Sequence, residues 1–154
     1  MFERDYLMNL LMQFFRALMR ANDLRHEKDD PEAASKMLEG AIQEAVEIDG
    51  AALLALAPDS IAQVMRVSDV DPNVTQFVAR SLLLDSVYLT QADKPDMAAL
   101  RLAQAHAIAD EYGFGLPENP ADFDSITEGL EEAALAGGFD GREHDILDDL
   151  NLRW

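Results

Sequence analysis

Proline follows a helix-capping residue at three points, and this punctuation constrains the fold more than any other feature of the chain. The three pairs are Asp30-Pro31, Asp71-Pro72 and Asn119-Pro120. Asp and Asn side chains cap helix N-termini, and proline is tolerated at the first helical position because its missing N–H would be unpaired there. Lys94-Pro95 is a weaker version of the signal, with Asp93 as the candidate cap. The pattern predicts a succession of helices.

Glycines mark the expected ends of these helices at Gly50, at Gly113 and at the pair Gly137-Gly138. No stretch shows the sustained alternation of a strand, so we predict no sheet. We expect an all-α fold of about six to seven helices, packed as antiparallel hairpins because the loops are short. The predicted helices span about 3–27, 31–48, 59–67, 73–92, 95–112, 121–136 and 141–150, with a short helical turn around 51–56.

Length and composition indicate one globular domain over residues 1–154. Hydrophobic residues make up 49% and charged residues 27%, which excludes a disordered chain. The absence of cysteine excludes disulfides, iron–sulfur clusters and cysteine nucleophiles. We predict a helical core over 1–112 and an acidic helical C-terminal extension over 113–154.

The net charge of −18 bears on partners and location. Such a surface repels phosphates and anionic lipid headgroups, so we predict no nucleic-acid partner. The apolar stretch near the N-terminus is too interrupted to span a bilayer, so we predict no membrane insertion. The N-terminus carries acidic residues where a secretory signal needs basic ones, and a cytoplasmic location is expected.

Small residues recur at a seven-residue spacing in two predicted hairpins. Ala34 and Ala41 follow the capped turn at Asp30-Pro31, and Ala98 and Ala105 repeat the spacing after Lys94-Pro95. This pattern resembles the second helix of a tetratricopeptide repeat, which implies stacked helical hairpins over 1–112, as a right-handed superhelix or a bundle. The aromatic, Leu-Gly and Tyr pattern of that family's first helix is not met in either hairpin.

The opening Met1-Phe2-Glu3-Arg4-Asp5-Tyr6, followed by a long apolar helix and a hairpin, also resembles a family of small uncharacterised bacterial helical proteins. This resemblance covers the first half of the chain. It implies a helical fold and a bacterial source, and no activity.

The predicted first helix is apolar on more sides than one domain core usually covers. Its polar side chains form a narrow stripe that comprises Asn9, Gln13, Arg16 and Arg20. Three interpretations stay open: a core helix partly covered by the acidic C-terminal segment, an oligomer interface, most simply of a homodimer, or a helix on a membrane surface, which the acidity disfavours. The candidate interface residues are Tyr6, Leu7, Leu10, Leu11, Phe14, Phe15 and Leu18.

The two ends of the chain are electrostatically complementary. Residues 1–28 hold five basic and four acidic residues, whereas residues 117–154 hold two basic and eleven acidic ones. Docking of the acidic tail near the basic helix, within one chain or across a dimer, is one interpretation. A solvated acidic surface is the other.

Candidate chemistry is sparse. Each histidine has an aspartate four residues later, in the pairs His26–Asp30, His106–Asp110 and His144–Asp148. This spacing places both side chains on one helix face, but a metal site needs three or four ligands, so ordinary ion pairing is the preferred interpretation. Residues 69–75 mimic a calcium-binding loop without its glycine or its final glutamate, so they are interpreted as a helix cap. We predict no catalytic residue, no metal and no cofactor.

We therefore predict a protein-interaction or scaffold module, homodimeric, that binds a protein or peptide partner. Its groove would be lined by helix 95–112, with Arg80, Arg101 and His106. A small-ligand or metal-dependent enzyme using His106 and nearby carboxylates is the first alternative. The second is an acidic nucleic-acid mimic, with the run Glu128, Glu131, Glu132, Asp140 and Glu143.

Overall fold

The computed structural model describes residues 2–46, 50–120 and 122–126, with side chains described from Asn9 onward. Within these ranges the chain forms helices and no strand, which confirms the all-α prediction. The helices are α1 (Phe2–His26), α2 (Pro31–Ala45), α3 (Gly50–Leu54), α4 (Pro58–Val67), α5 (Pro72–Gln91) and α6 (Pro95–Tyr112). Residues 123–126 are also helical. The predicted helix 141–150 and most of 121–136 lie outside the described residues.

Side-chain caps start α2 and α5 where the sequence predicts them. The Asp30 carboxylate accepts a hydrogen bond from the backbone N–H three residues later at 3.0 Å. The Asp71 carboxylate accepts one from the N–H two residues later at 2.8 Å. At α6 the prediction of Asp93 as cap is wrong, because the cap residue is Lys94 and Asp93 takes a left-handed conformation with φ 63°.

Helix ends differ from the predictions where the signal was ambiguous. Gly113 ends α6 in the left-handed conformation, with φ 77°, as predicted. Gly50, however, begins α3 instead of ending α2, which stops at Ala45. Near Pro120 the Asp122 carboxylate accepts hydrogen bonds from the backbone N–H and the hydroxyl of residue 125, at 3.3 and 2.7 Å, so Asp122 caps the helical residues 123–126.

Two helical hairpins, α1–α2 and α5–α6, pack together with α5 against α2, while α4 packs against α6. Two ion pairs connect α2 with α6 and its N-cap residue: Glu32 with Lys94, the N-cap, at 3.3 Å, and Glu39 with Arg101 of α6 at 3.2 Å. Both pairs join residues 62 positions apart, so the two helices run parallel in a constant register.

The core is built around α5, which is buried on nearly every side. Phe77 of α5 contacts Phe14 of α1, with ring centroids 5.4 Å apart and an interplanar angle of 47°. Such tilted aromatic pairs add to the free energy of apolar burial. The α1 residues that join this core are Leu11, Phe14, Leu18 and Ala21.

Candidate functional site

An open groove of about 680 Å³ lies between α1 and α2. Its apolar lining includes Leu10, Ala17 and Leu24 from α1, and Met37 and Ala41 from α2. These five side chains are half-buried, whereas the core-facing residues of the same two helices are buried. The groove therefore exposes apolar surface that the described part of the chain leaves uncovered.

Basic side chains border this apolar surface. Arg16 and Arg20 of α1 and Lys36 of α2 line the groove, against a single acidic lining residue, Glu44. Arg16 and Arg20 are one helical turn apart, which places them on the same face of α1. Neither arginine forms an ion pair with the described residues. A locally positive groove thus occurs on a chain whose net charge is −18.

Gly40 lines the groove from the middle of α2. Glycine inside a helix is about 0.5–1 kcal/mol less favourable than alanine. A Cβ at this position would meet no atom within 4 Å, and the φ of Gly40 is not positive. Among the residues that the structure describes, neither internal packing nor backbone conformation requires glycine here. The missing side chain leaves the backbone of α2 open to the groove at this point.

A second polar feature, here named the polar cluster, lies inside the core where α2, α5 and α6 meet. It consists of Ser35, Glu39, Asp85, Arg101 and Gln104. All except Glu39 are at most 3% exposed. Buried charges of this kind persist only when they are paired and hydrogen-bonded, so the partners of each group decide what the cluster does.

Arg101 is the centre of the polar cluster. Its Nε lies 3.2 Å from a Glu39 oxygen and 3.4 Å from an Asp85 oxygen. Its Nη1 donates to the carbonyl of Leu54 at 2.7 Å and to the Gln104 side-chain oxygen at 3.1 Å. The Gln104 amide donates to the same carbonyl at 3.0 Å and to a second carbonyl of the α3–α4 connection at 2.9 Å. The cluster therefore fixes that connection against α6.

Asp85 is the unusual member of the cluster. The single N–H of Arg101 Nε bonds Glu39, and neither Asp85 oxygen has a hydrogen-bond partner among the described residues. Burial, with the neighbouring Glu39 carboxylate, raises the pKa of Asp85 to about 9, although Ser35 and Arg101 act in the opposite direction. Asp85 is therefore protonated at neutral pH, and the cluster holds one cation and one anion.

The structure divides the predicted oligomer-interface residues into two groups. Leu11, Phe14 and Leu18 are buried in the core of their own chain. Leu10 and Phe15 are half-buried, and Leu10 lines the groove. The side chains of Tyr6 and Leu7 lie outside the described residues.

The three residues predicted to line a partner groove along α6 differ in their exposure. Arg101 is enclosed in the polar cluster with only 3% of its surface exposed, so it does not line an open surface. Arg80 is half-buried on α5, and His106 is exposed on α6, with Asp110 also exposed. The acidic residues considered for a nucleic-acid mimic, between 128 and 143, lie outside the described residues.

The sequence shows the α1 side of the groove, but it does not show which residues of α2 complete it. The stripe that includes Gln13, Arg16 and Arg20 was visible in α1, yet spacing within one helix does not reveal that Lys36 and Gly40 of α2 lie across from it. The buried position of Asp85 could not be predicted, because a single acid within the apolar helix α5 forms no periodic pattern.

Comparison of the chain with protein-family models, curated proteins and solved structures found no match. Among the described residues, no three histidine or acidic side chains come together as a metal site would require. The same part of the chain contains no helix with the length and apolar character needed to cross a membrane. Within the described part of the chain, the α1–α2 groove has a geometry that suits binding to another molecule.

Proposed function

We propose that the protein is an interaction module that binds an acidic amphipathic helix of a partner protein in the α1–α2 groove. The observation that carries this proposal is the uncovered apolar lining bordered by Arg16, Arg20 and Lys36. Amphipathic helices bind such grooves through apolar residues at i, i+3 or i+4 and i+7. The lining of α1 runs from Leu10 to Leu24, about 21 Å at the helical rise, which matches four turns of a bound helix.

Charge makes the groove selective for acidic helices. Carboxylates beside the apolar stripe of a bound helix would meet the three cations, whereas a basic helix would place like charges together. Gly40 supports the same mode of binding, because two helix backbones approach most closely where one of them has no side chain.

The homodimer stays a prediction. Half-buried Leu10 and Phe15 leave part of α1 uncovered, and light scattering on the full chain distinguishes a monomer from a dimer. No observation among the described residues favours an enzyme built around His106, which is exposed and does not line the groove.

Fluorescence anisotropy with a designed acidic peptide tests the proposal. The peptide is helical over about four turns, with leucines at i, i+3, i+7 and glutamates elsewhere. The variants Arg16→Glu and Arg20→Glu should each weaken binding by about tenfold. Gly40→Leu should abolish binding while the protein still folds, because a side chain at this position has free space only in the groove.

The matched control is the double variant Gln63→Glu, Val67→Glu, which adds the same two negative charges to exposed positions of α4 as one arginine reversal adds to α1. Its affinity should equal that of the wild type. Equal weakening by this control, or equally tight binding of a peptide with lysines in place of glutamates, would contradict the proposal.

A further inference from the structure

We infer that the α1–α2 groove is occupied in the free protein by the chain's own C-terminal segment, residues 141–154, docked in cis as a competitor of the partner helix. The inference rests on the proposed function, because it concerns the same groove. Four observations carry it: the pattern of the segment, its length, its charge and the reach of the chain that precedes it.

The spacing of apolar residues in the segment matches a helix that binds in the groove. If it forms a helix, four apolar residues fall within an arc of about 100°, the width of a core-facing stripe. This stripe consists of Ile146, Leu147, Leu150 and Trp154. A helix over 141–154 is about 21 Å long, which equals the span from Leu10 to Leu24 along the groove.

The charges of segment and groove are complementary. Residues 141–154 hold four acidic and two basic residues, and the groove is lined by three basic residues and one acidic residue. Four cations elsewhere on the described chain already pair with acids. These are Arg25, Arg66, Lys94 and Arg101. Within the groove, Lys36 lies 3.7 Å from a Glu32 oxygen, whereas Arg16 and Arg20 have no ion-pair partner among the described residues and can pair with an acidic segment.

The preceding chain is long enough to deliver the segment. Ile126 is fully buried, which anchors the start of the C-terminal region to the core. Residues 127–140 span up to about 45–50 Å when extended. A folded domain of 154 residues has a radius of gyration of about 15 Å, so half its circumference is about 60 Å. An extended linker therefore reaches the groove over the surface from every starting point except those on the far side of the domain.

Tethering favours docking within one chain over exchange between two copies. A flexible linker of this length holds the segment at an effective concentration on the order of 1 mM near its own groove. At micromolar protein concentrations a second copy supplies far less of the same segment. The segment of the same chain therefore occupies the groove in preference to the segment of a second copy.

Cross-linking of the full chain tests whether the C-terminal segment lies in the groove. The chain has no cysteine, so Gln13→Cys with Asn151→Cys introduces one reactive pair; Gln13 is an exposed, uncharged residue of the groove lining, and Asn151 lies outside the apolar stripe. A short bismaleimide should join this pair within one chain about ten times faster than the control pair Val67→Cys, Asn151→Cys, because Val67 is 86% exposed on α4, away from the groove. Equal rates would overturn the inference, and so would a product that joins two copies.

A competition experiment measures how strongly the chain's own segment reduces the affinity of the groove for an added peptide. The probe is a labelled synthetic peptide of residues 141–154, added to the full chain. The double variant Leu147→Ser, Leu150→Ser should bind it about tenfold more tightly than the wild type does, because the internal competitor has lost its apolar stripe. Adding Gly40→Leu should abolish binding in both backgrounds.

The two proposals fail in different ways. Equal probe affinity for the wild type and the serine variant, with loss on Gly40→Leu, would refute the internal competitor and leave the groove as a binding site. No binding of either the probe or the designed acidic peptide would refute the proposed function itself, and the inference with it.

Discussion

Asp85→Asn gives the sharpest test of how the polar cluster is charged. An asparagine amide has the shape of a protonated carboxyl group and donates as one does, so the variant should fold like the wild type at low pH. The pKa of Asp85 is about 9 in the folded chain and about 3.9 in an unfolded one. Between these values the unfolded state releases a proton that the folded state keeps, so the wild type loses stability as pH rises.

The size of the effect follows from this difference in protonation. One proton corresponds to about 1.4 kcal/mol per pH unit, so the wild type should lose about 2–4 kcal/mol relative to Asp85→Asn between about pH 5 and about pH 8. The lower figure allows for relaxation around Glu39 and Arg101, which share the proton equilibrium with Asp85. Below about pH 4 the two proteins should have the same free energy of unfolding.

Urea unfolding at a series of pH values measures the difference in the free energy of unfolding between the wild type and Asp85→Asn. The matched control is Asp23→Asn, which removes an exposed carboxylate of α1. Parallel stability curves for the wild type and Asp85→Asn would refute the reasoning. A wild type that gains stability relative to the variant as pH rises would do the same, because Asp85 would then be ionised and held by Arg101.

Three further predictions concern stability, each measured by urea or thermal unfolding. Arg101→Met should lower the free energy of unfolding by about 3 kcal/mol, because it leaves the Glu39 carboxylate and the Leu54 carbonyl without their cation. A decrease no larger than the one caused by Arg66→Met, at an exposed position, would contradict this prediction. In a chain that also carries Leu147→Ser and Leu150→Ser, which free the groove of the C-terminal segment, Gly40→Ala should raise the free energy of unfolding by about 0.5–1 kcal/mol, since the added Cβ meets nothing among the described residues. Destabilisation in that background would contradict an open helix face at Gly40. Gly113→Ala should cost about 1 kcal/mol, because alanine is strained at φ 77°, and an unchanged midpoint would show that α6 ends differently.

The polar cluster and the groove use opposite faces of α2. Ser35 and Glu39 face the cluster, while Lys36 and Gly40 line the groove one residue further along. The ion pair between Glu39 and Arg101 therefore holds the helix that forms one wall of the groove. A wall fixed in this way loses less conformational entropy when a helix binds, which is how preorganisation increases affinity.

Much of the secondary structure could be predicted because its causes are local. The Asp30 and Asp71 caps bond backbone groups two or three residues away, and Gly113 ends α6 through its own φ. Errors arose where two local solutions compete. Asp93 and Lys94 both precede Pro95, and only the path of the chain decides which of them starts the helix.

The site could be predicted only in part, and α1 shows why. Its excess of apolar residues indicated that something besides one core face contacts this helix. The structure assigns Leu11, Phe14 and Leu18 to the core and leaves Leu10 at the groove. Helical periodicity identifies apolar faces, but it does not say which face meets which neighbour.

The sequence by itself determined that this chain forms capped helices, joined by short loops, with an acidic surface and no cysteine chemistry. Tertiary structure alone decided that Arg101 is enclosed with Asp85 and Glu39, and that Lys36 and Gly40 complete a groove begun by α1. The physical reason is distance along the chain. Capping bonds span a few residues, whereas the polar cluster joins side chains 62 positions apart, whose meeting depends on how the hairpins pack.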